Sequence, residues 1–193
     1  MARTKDFDED EVLKKAIALF WRKGYSATSM QDLVDGLGIS RSSLYDTYGD
    51  KHTLYLRALE SYQAAGSGQM CNIISNATSA KDSIRKLLGL VIGQLEADAE
   101  RKGCFMVNAE VETAPHDEQV NSMICRNDEQ VENAFYAAIT KGQANGEIPA
   151  NKDARALARF TFNTVKGIRV SAKSTNDKAF FDDIINVSMS VFD

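Results

Sequence analysis

Residues 28–51 constrain the fold more than any other segment, because they predict two short helices joined by a tight turn. Thr28 is placed to cap the first helix, and Gln31, three residues later, is placed to close a capping box. Apolar side chains then recur at helical spacing, at Met30, Leu33, Val34 and Leu37. Gly38 suits the left-handed backbone that ends many helices, and Ser40 predicts the cap of a second helix.

The second helix is expected to be short, about eight residues and roughly 12 Å long. Leu44 and Tyr48 lie four residues apart and are predicted to face inward, while Ile39 fills the corner between the two helices. The opposite face is then small and polar, as a helix that enters the major groove of DNA requires. These features predict a helix-turn-helix unit. A helical hairpin without that role is the alternative.

A further helix is predicted just before this unit, over residues 8–23. Its first turn is acidic, which suits the positive end of a helix, and its apolar residues form one stripe. Gly24 is expected to end it. Residues 1–7 contain Arg3 and Lys5 but no apolar periodicity, so they predict a loose arm that either touches phosphate or is disordered.

The order of features across residues 8–57 closely resembles the amino-terminal domain of TetR-family transcriptional regulators. That order is a helix, Gly-Tyr, a Thr-containing cap, a Leu-Gly-Ile-Ser turn, Ser-Leu-Tyr, an aromatic residue and Lys. The resemblance implies that Thr28 and Lys51 hold backbone phosphates. It also implies that three residues approach base edges, namely Arg41, Ser42 and Asp46.

The sequence departs from this family pattern at two places. Tyr48-Gly49-Asp50 stands where many relatives have Phe-Pro, which makes the entry into the next helix less rigid. Ser42 stands where glycine is common in the family, and its larger, hydrogen-bonding side chain leaves the base preference open.

The chemistry of the second helix supports DNA contacts independently of the family. Arg41 could form two hydrogen bonds with O6 and N7 of a guanine, and Asp46 could accept one from N4 of a cytosine. Hydroxyl groups and a lysine could bind phosphate oxygens, which fixes register without reading sequence. The predicted DNA-binding residues are Thr28, Ser40, Arg41, Ser42, Ser43, Tyr45, Asp46, Thr47 and Lys51. The alternatives are that Asp46 only pairs with a cation and that Tyr45 only covers the core edge.

The composition of this 193-residue chain, 44% of it hydrophobic, allows a substantial core. Because the chain lacks a long apolar run and a signal-peptide pattern, a cytoplasmic protein is expected. Its three cysteines lack metal-finger spacing, so reduced thiols are expected and no metal or cofactor is predicted. Nine basic and nine acidic residues balance through Arg57, so the net charge of −4 belongs to the remainder. One DNA-binding domain alone is therefore expected to bind weakly, and two to cooperate.

The remainder of the chain is predicted to be helical, which makes the protein all-α. From residue 51 onward proline occurs only at Pro115 and Pro149. Ser79 predicts one helix start, and the last two helices are expected over about residues 151–173 and 177–192. The predicted domains are an N-terminal three-helix DNA-binding domain at residues 1–50 and a larger helical domain for effector binding and dimerisation at residues 51–193.

The last two predicted helices carry apolar residues on more than one face, which calls for a second neighbour. The family resemblance implies that they pair with the same two helices of a second subunit in a four-helix interface. A twofold dimer would place its two reading helices about 34–36 Å apart, one turn of duplex, on a palindromic operator. Additional core within one chain is the alternative.

A thiol at Cys104 follows a glycine and two cations, Arg101 and Lys102, at a predicted helix start. A helix N-terminus and neighbouring cations favour the reactive thiolate over the thiol. The Gly-Cys-Phe segment resembles a branch of the family whose members respond to electrophiles or oxidants through this cysteine. That resemblance implies that Lys173, in the penultimate helix, lies near the thiol. The alternative is a small buried hydrophobic residue, the usual role of an unpaired cysteine.

Without covalent chemistry, the larger domain is expected to enclose a mostly apolar effector pocket. Its candidate lining residues are Phe105, Met106, Asn108, Met123, Phe135 and Phe162. Glu110 and Glu112 interrupt the helix after Cys104, and we interpret them as solvated. His52 and His116 suggest neither a metal site nor a catalytic base.

The sequence thus predicts a homodimeric repressor that an effector releases from DNA by pivoting the fourth helix. An enzyme such as a thiol peroxidase-like protein is one rival, but no partner histidine, resolving-cysteine pattern or cofactor loop accompanies Cys104. A helical ligand-binding protein that has lost DNA recognition is the other rival.

Overall fold

A computed structural model describes residues 7–193, apart from the side chains at positions 67, 75 and 96. Most of the predicted N-terminal arm, with Arg3 and Lys5, therefore lies outside the described residues. The described chain is helical throughout and contains no strand, which confirms the all-α prediction. None of its helices is both long enough and apolar enough to cross a membrane.

The helices follow one another with short connections. Their bounds are α1 Glu9–Lys23, α2 Met30–Leu37, α3 Arg41–Tyr48, α4 Lys51–Ser75, α5 Ala80–Glu96, α6 Phe105–Glu112, α7 Glu118–Ala144, α8 Ala154–Ser171 and α9 Lys178–Ser190. A single 3-10 turn, Ala114–His116, joins α6 to α7.

Helices α1 to α3 form the predicted helix-turn-helix unit. The carboxylate of Asp8 caps α1 and accepts a hydrogen bond from Asp10 N at 2.8 Å. Gly38 ends α2 with a φ of 71°, a left-handed conformation that glycine adopts without strain. Leu44 and Tyr48 of α3 are buried in the core with Ile39, as the helical spacing predicts.

The predicted cap of α2 was wrong by one residue. Ser29, not Thr28, is the N-cap, and its hydroxyl oxygen accepts from Asp32 N at 3.1 Å. Asp32 in place of Gln31 closes the capping box, because its carboxylate accepts from Ser29 N at 2.8 Å. The Thr28 hydroxyl is instead buried and donates to Gly24 O at 2.6 Å, so it is already used one turn earlier.

Helix α4 connects the two parts of the molecule, since it packs against α1 at one end and against α5 and α7 farther along. The core of the DNA-binding domain continues through Tyr55 and Leu59 of α4 to Phe105 and Val107 of α6. A domain boundary after residue 50 therefore stays a prediction.

A second core lies between helices α4, α5, α7, α8 and α9 and includes Ile84, Phe135, Val165 and Phe181. The last two helices are shorter than predicted at both ends. Helix α8 begins three residues late because Asp153 is its cap and accepts from the backbone N–H groups that follow.

Large apolar side chains remain exposed on α8 and α9. These are Phe160, Val170, Phe180 and Val187, with exposed fractions of 42%, 50%, 41% and 67%. These side chains are absent from both buried clusters. Within the described chain, no other helix therefore covers these apolar faces of α8 and α9, as the sequence predicted that a second helix pair would.

Candidate DNA-binding face and effector cavity

The start of α3 carries three neighbouring serine hydroxyl groups. Ser40 caps the helix and accepts from Ser43 N at 3.1 Å. The hydroxyl oxygens of Ser42 and Ser43 each lie 2.9 Å from that of Ser40. Because the first N–H groups of a helix also carry partial positive charge, this end of α3 is suited to a phosphate oxygen.

The outer face of α3 is polar and accessible, in line with the predicted inward position of Leu44 and Tyr48. Arg41, Ser42 and Asp46 are exposed, and the Tyr45 ring is 45% exposed. Within the described chain Asp46 forms no ion pair, so nothing there supports the alternative in which it only neutralises a cation.

Four of the predicted DNA-binding residues are less accessible, and half-buried Ser43 is one of them. Thr47 and Lys51 are half-buried, and Lys51 Nζ lies 4.3 Å from the centroid of the Tyr25 ring. Burial lowers the pKa of Lys51, while the charges of Glu112 and Asp32 oppose this shift. Thr28 is fully buried, so its hydroxyl has no access to a phosphate in this conformation.

A carboxylate at the end of α6 holds the turn between α1 and α2. Glu112 Oε2 accepts from Tyr25 N at 3.1 Å, and Oε1 accepts from Ser26 N at 2.9 Å. Gly24 makes room for this contact, because a Cβ atom there would lie 2.8 Å from Oε2 and its φ is 83°. The interpretation of Glu112 as solvated was therefore wrong. We call this contact the Glu112 clamp.

Two further contacts join α4 to the segment that follows α6. His52 Nε2 lies 2.6 Å from Asp117 Oδ2, and Tyr55 Oη lies 3.2 Å from Thr113 Oγ1. Partial burial opposes ionisation of Asp117, but hydrogen bonds from Val120 N and His52 outweigh it and lower the pKa of this carboxyl. The end of α6 is thus joined to the α1–α2 turn through Glu112, and the segment after it is joined to the start of α4.

A cavity of about 340 Å³ lies in the larger domain, between α1 and helices α4 to α8. Its apolar wall includes Met70, Val91, Met106, Val107, Ile124 and Phe162. Trp21 brings α1 of the DNA-binding domain into the wall, so a bound molecule would touch both parts of the protein. Met106 and Phe162 line the cavity as predicted, whereas Phe105, Asn108, Met123 and Phe135 lie elsewhere.

Cys104 is the N-cap residue of α6 and forms part of the cavity wall. Its side chain is only 2% exposed, and two donors lie beside its sulfur. Arg169 Nη1 is 3.1 Å from Sγ, and the Tyr62 hydroxyl is 3.8 Å away. Burial, followed by the neighbouring Cys104, raises the pKa of Tyr62, which therefore keeps its proton at neutral pH. Both groups can donate a hydrogen bond to the sulfur.

The cation in contact with the thiol is Arg169, while Lys173 lies beside the preceding residue, Gly103. Lys173 Nζ donates to Asn108 Oδ1 at 3.0 Å, while the Asn108 amide donates to Lys102 O at 2.9 Å. Lys173 thus supports the loop before Cys104, and Arg169, one helical turn earlier, contacts the sulfur itself. Phe105 packs between the rings of Tyr55 and Tyr62 in the core.

The other charged groups of the cavity are paired among themselves. Lys166 donates to Glu110 at 2.8 Å and also to Asp128. Burial opposes the charge on Lys166, but these two hydrogen bonds outweigh it and raise its pKa. Glu110, which was interpreted as solvated, is partly exposed and also pairs with Lys166. Asp98 pairs with Lys102 at 2.8 Å.

Sequence reasoning missed Trp21, Tyr62 and Arg169, which all lie at the cavity. For Arg169 a signal was present, because it follows Lys166 by three residues on the mostly apolar helix α8, so both cations share one face. Trp21 and Tyr62 looked like ordinary core residues, since nothing local marks the side of a helix that meets a cavity.

An exposed polar helix that is capped by serine and packed with α1 and α2 around one core defines a helix-turn-helix DNA-binding protein. Comparison with known proteins identifies the family. Residues 12–58 match the family model of bacterial regulatory proteins, tetR family, and residues 80–187 match that of the tetracyclin repressor-like C-terminal domain. The chain belongs to the TetR family of DNA-binding transcriptional regulators, as the sequence predicted.

Similar proteins match over nearly the whole chain. An uncharacterised helix-turn-helix-type transcriptional regulator of Bacillus subtilis, YezE, is 36% identical over 100% of both chains. The transcriptional repressor ComR of Escherichia coli is 27% identical over 89% of this chain and 82% of its own. Among solved structures, a cysteine variant of the TetR-family regulator CifR, complexed with 26-base-pair operator DNA, superposes with a TM-score of 0.88. It is 25% identical, over 99% of this chain and 100% of CifR.

Proposed function

We propose that this protein is a transcriptional repressor that binds a palindromic operator as a homodimer and leaves it when an effector reaches the cavity at Cys104. The protein would act on DNA in the cytoplasm and would catalyse no reaction. The observation that carries it is helix α6, whose cap Cys104 lines the cavity and whose last residue, Glu112, holds the DNA-binding domain.

In the operator complex, the exposed face of α3 enters the major groove. Arg41, Ser42 and Asp46 face base edges, while the hydroxyl groups at the start of α3 and the charge of Lys51 position the phosphates. The remaining contacts come from Tyr45 and Thr47. For Thr28 we propose that the exposed neighbour Ser29 takes the phosphate contact, because the Thr28 hydroxyl is buried.

Dimerisation through α8 and α9 is supported by the apolar side chains that both helices expose. Phe160, Val170, Phe180 and Val187 would be covered by the same helices of a second subunit. The two α3 helices of the dimer then enter two successive major grooves on the same face of the DNA.

Release follows from the geometry of α6. This helix is eight residues long, so a shift of the whole helix at its cap would also move Glu112 at its other end. The clamp would carry that shift to the α1–α2 turn, and α4 would pivot with it through the contacts at Thr113 and Asp117. An effector can drive this change only through a difference in affinity between the two domain positions.

The DNA-binding half of the proposal is tested by electrophoretic mobility shift on the DNA that flanks the gene of this protein. A palindrome in that DNA should bind the wild type, and Arg41→Ala should weaken binding about tenfold or more. Arg126→Ala removes an exposed arginine of α7 and is the matched control. If the wild type binds no palindrome there, or if both variants behave alike, the proposed reading face is wrong.

The sensing half is tested by adding a thiol-reactive electrophile to the preformed complex. Cys104→Ser should bind the operator normally but resist release, whereas Cys125→Ser, which removes an exposed thiol, should be released like the wild type. Equal release of all three proteins would exclude Cys104 as the sensor.

A further inference from the structure

One charged group of the cavity wall lacks a partner of opposite charge in the described part of the chain. Lys166 pairs with two carboxylates, Glu110 and Asp128. Arg169 lines the same cavity, yet among the described side chains it pairs with no carboxylate, and its partner is the sulfur of Cys104. A guanidinium has five N–H donors arranged as a planar fork that fits a carboxylate, and a sulfur atom is a weak acceptor for it.

The position of Arg169 strengthens its attraction for an anion. The residue is half-buried between apolar helices, where water screens its charge less than at an exposed site. A second donor is also unmatched, because the buried indole N–H of Trp21 has no acceptor among the described residues. Two donors at the cavity, the Arg169 guanidinium and the Trp21 indole N–H, therefore have no strong acceptor among the described residues.

The size of the cavity limits what can bind. A volume of about 340 Å³ is at the lower end of the range of small-molecule sites, roughly 300–1,000 Å³, so a compact molecule fits and a long chain does not. The apolar wall favours a short carbon skeleton, and the group that meets Arg169 must be an acceptor placed next to Cys104.

We propose that the effector is a small electrophile that carries a carboxylate, which Arg169 binds while the adjacent reactive carbon is attacked by Cys104. This inference rests on the proposed function and specifies the chemical class that the sensing site selects. When the thiol loses its proton to water, the sulfur electron pair forms an S–C bond and the leaving group departs with the electron pair of the broken bond.

The adduct also explains why a negative charge on the effector matters. Alkylation converts the sulfur to a thioether, which is a poorer acceptor for the Arg169 guanidinium than a thiol or a thiolate. A neutral electrophile would leave the guanidinium without its partner, and a carboxylate on the adduct would replace that partner by a forked, charge-assisted hydrogen bond. The loss of the Arg169–Cys104 contact would also free the cap of α6.

Iodoacetate and iodoacetamide test this proposal on the full-length protein, because they differ in charge but little in size. Both transfer a two-carbon group to sulfur and release iodide. Peptide mass spectrometry gives the rate of modification at Cys104 and at the exposed Cys125 of the same molecule. We expect the iodoacetate-to-iodoacetamide rate ratio at Cys104 to exceed that at Cys125 about tenfold, the equivalent of about 1.4 kcal/mol.

Variants assign the effect to the guanidinium. Arg169→Gln should reduce the ratio at Cys104 to that at Cys125, and Arg169→Lys should retain part of it. Lys178→Gln removes an exposed cation at the start of α9, away from the cavity, and should leave the ratio unchanged. Thermal unfolding of each variant checks that the fold persists, and the lysine variant keeps the test valid if the glutamine variant does not fold.

Three results would overturn the proposal: equal rate ratios at Cys104 and Cys125, an unchanged ratio in Arg169→Gln, or no modification of Cys104 by either reagent. Operator binding is measured on the same samples. Selective modification by iodoacetate without release from DNA would support the chemical class and refute the proposed release, so the two failures are distinguishable.

Discussion

The Glu112 clamp gives a quantitative prediction for coupling between the two parts of the protein. Each hydrogen bond to a charged acceptor contributes about 1.5–3 kcal/mol, and this contact contains two, to Tyr25 N and Ser26 N. Because Glu112 is half-buried, we halve the sum for solvation and expect Glu112→Ala to lower the free energy of unfolding by about 2 kcal/mol.

The same substitution should uncouple the cavity from DNA. A loss of about 2 kcal/mol corresponds to roughly a 30-fold change in an equilibrium constant. If the clamp transmits the movement of α6, the ratio of operator Kd values for alkylated and untreated protein should fall towards one in Glu112→Ala. The same result is expected whether the DNA-binding conformation is the one in this structure or the other one, because Glu112 links the movement of α6 to that of the α1–α2 turn in both cases.

Urea unfolding and fluorescence-anisotropy titration with labelled operator provide the two measurements. Glu129→Gln is the matched control, since it removes an exposed carboxylate from α7, and it should change neither quantity by more than about 0.5 kcal/mol. A Glu112→Ala protein with control-like stability and an undiminished Kd ratio would show that α6 does not act through this carboxylate.

Three further substitutions test other contacts. Gly24→Ala should cost about 1–3 kcal/mol in urea unfolding, because it strains a φ of 83° and crowds Glu112; unchanged stability would contradict the clamp geometry. The pKa of Asp117 is lower in the folded protein than in the unfolded chain, so the carboxylate stabilises the fold fully above about pH 4. This stabilisation is lost as the pH falls through the lowered pKa. The urea midpoint of Asp117→Asn should therefore decline less steeply in acid than that of the wild type. Val187→Glu should shift sedimentation towards monomer, whereas Val111→Glu on α6 should not.

Much of the fold was predictable because helix ends and buried faces depend on nearby residues. The serine cap of α3 and the glycine after α2 act within four residues of themselves, and both predictions are confirmed. The inward positions of Leu44 and Tyr48 follow from the helical repeat alone, which also sets the exposed face of α3. The all-α fold and the family were recognised from these local signals.

Errors arose where two local solutions were equally good. Thr28 and Ser29 are adjacent hydroxyl residues, and either could cap α2. The tertiary structure uses the Thr28 hydroxyl on Gly24 O inside the protein, which leaves Ser29 as the cap. The start of α8 was misplaced for a similar reason, since only the observed backbone shows Asp153 as its cap.

The sequence by itself determined the helices, their order and the face of α3 that is free to meet DNA, because these depend on spacings of three or four residues. Only the tertiary structure showed that Glu112 holds the α1–α2 turn and that Arg169 contacts Cys104. These partners are separated by 86 and 65 residues along the chain. Their contact depends on how α6 and α8 pack, and a helical repeat fixes the face of a helix without specifying its neighbour.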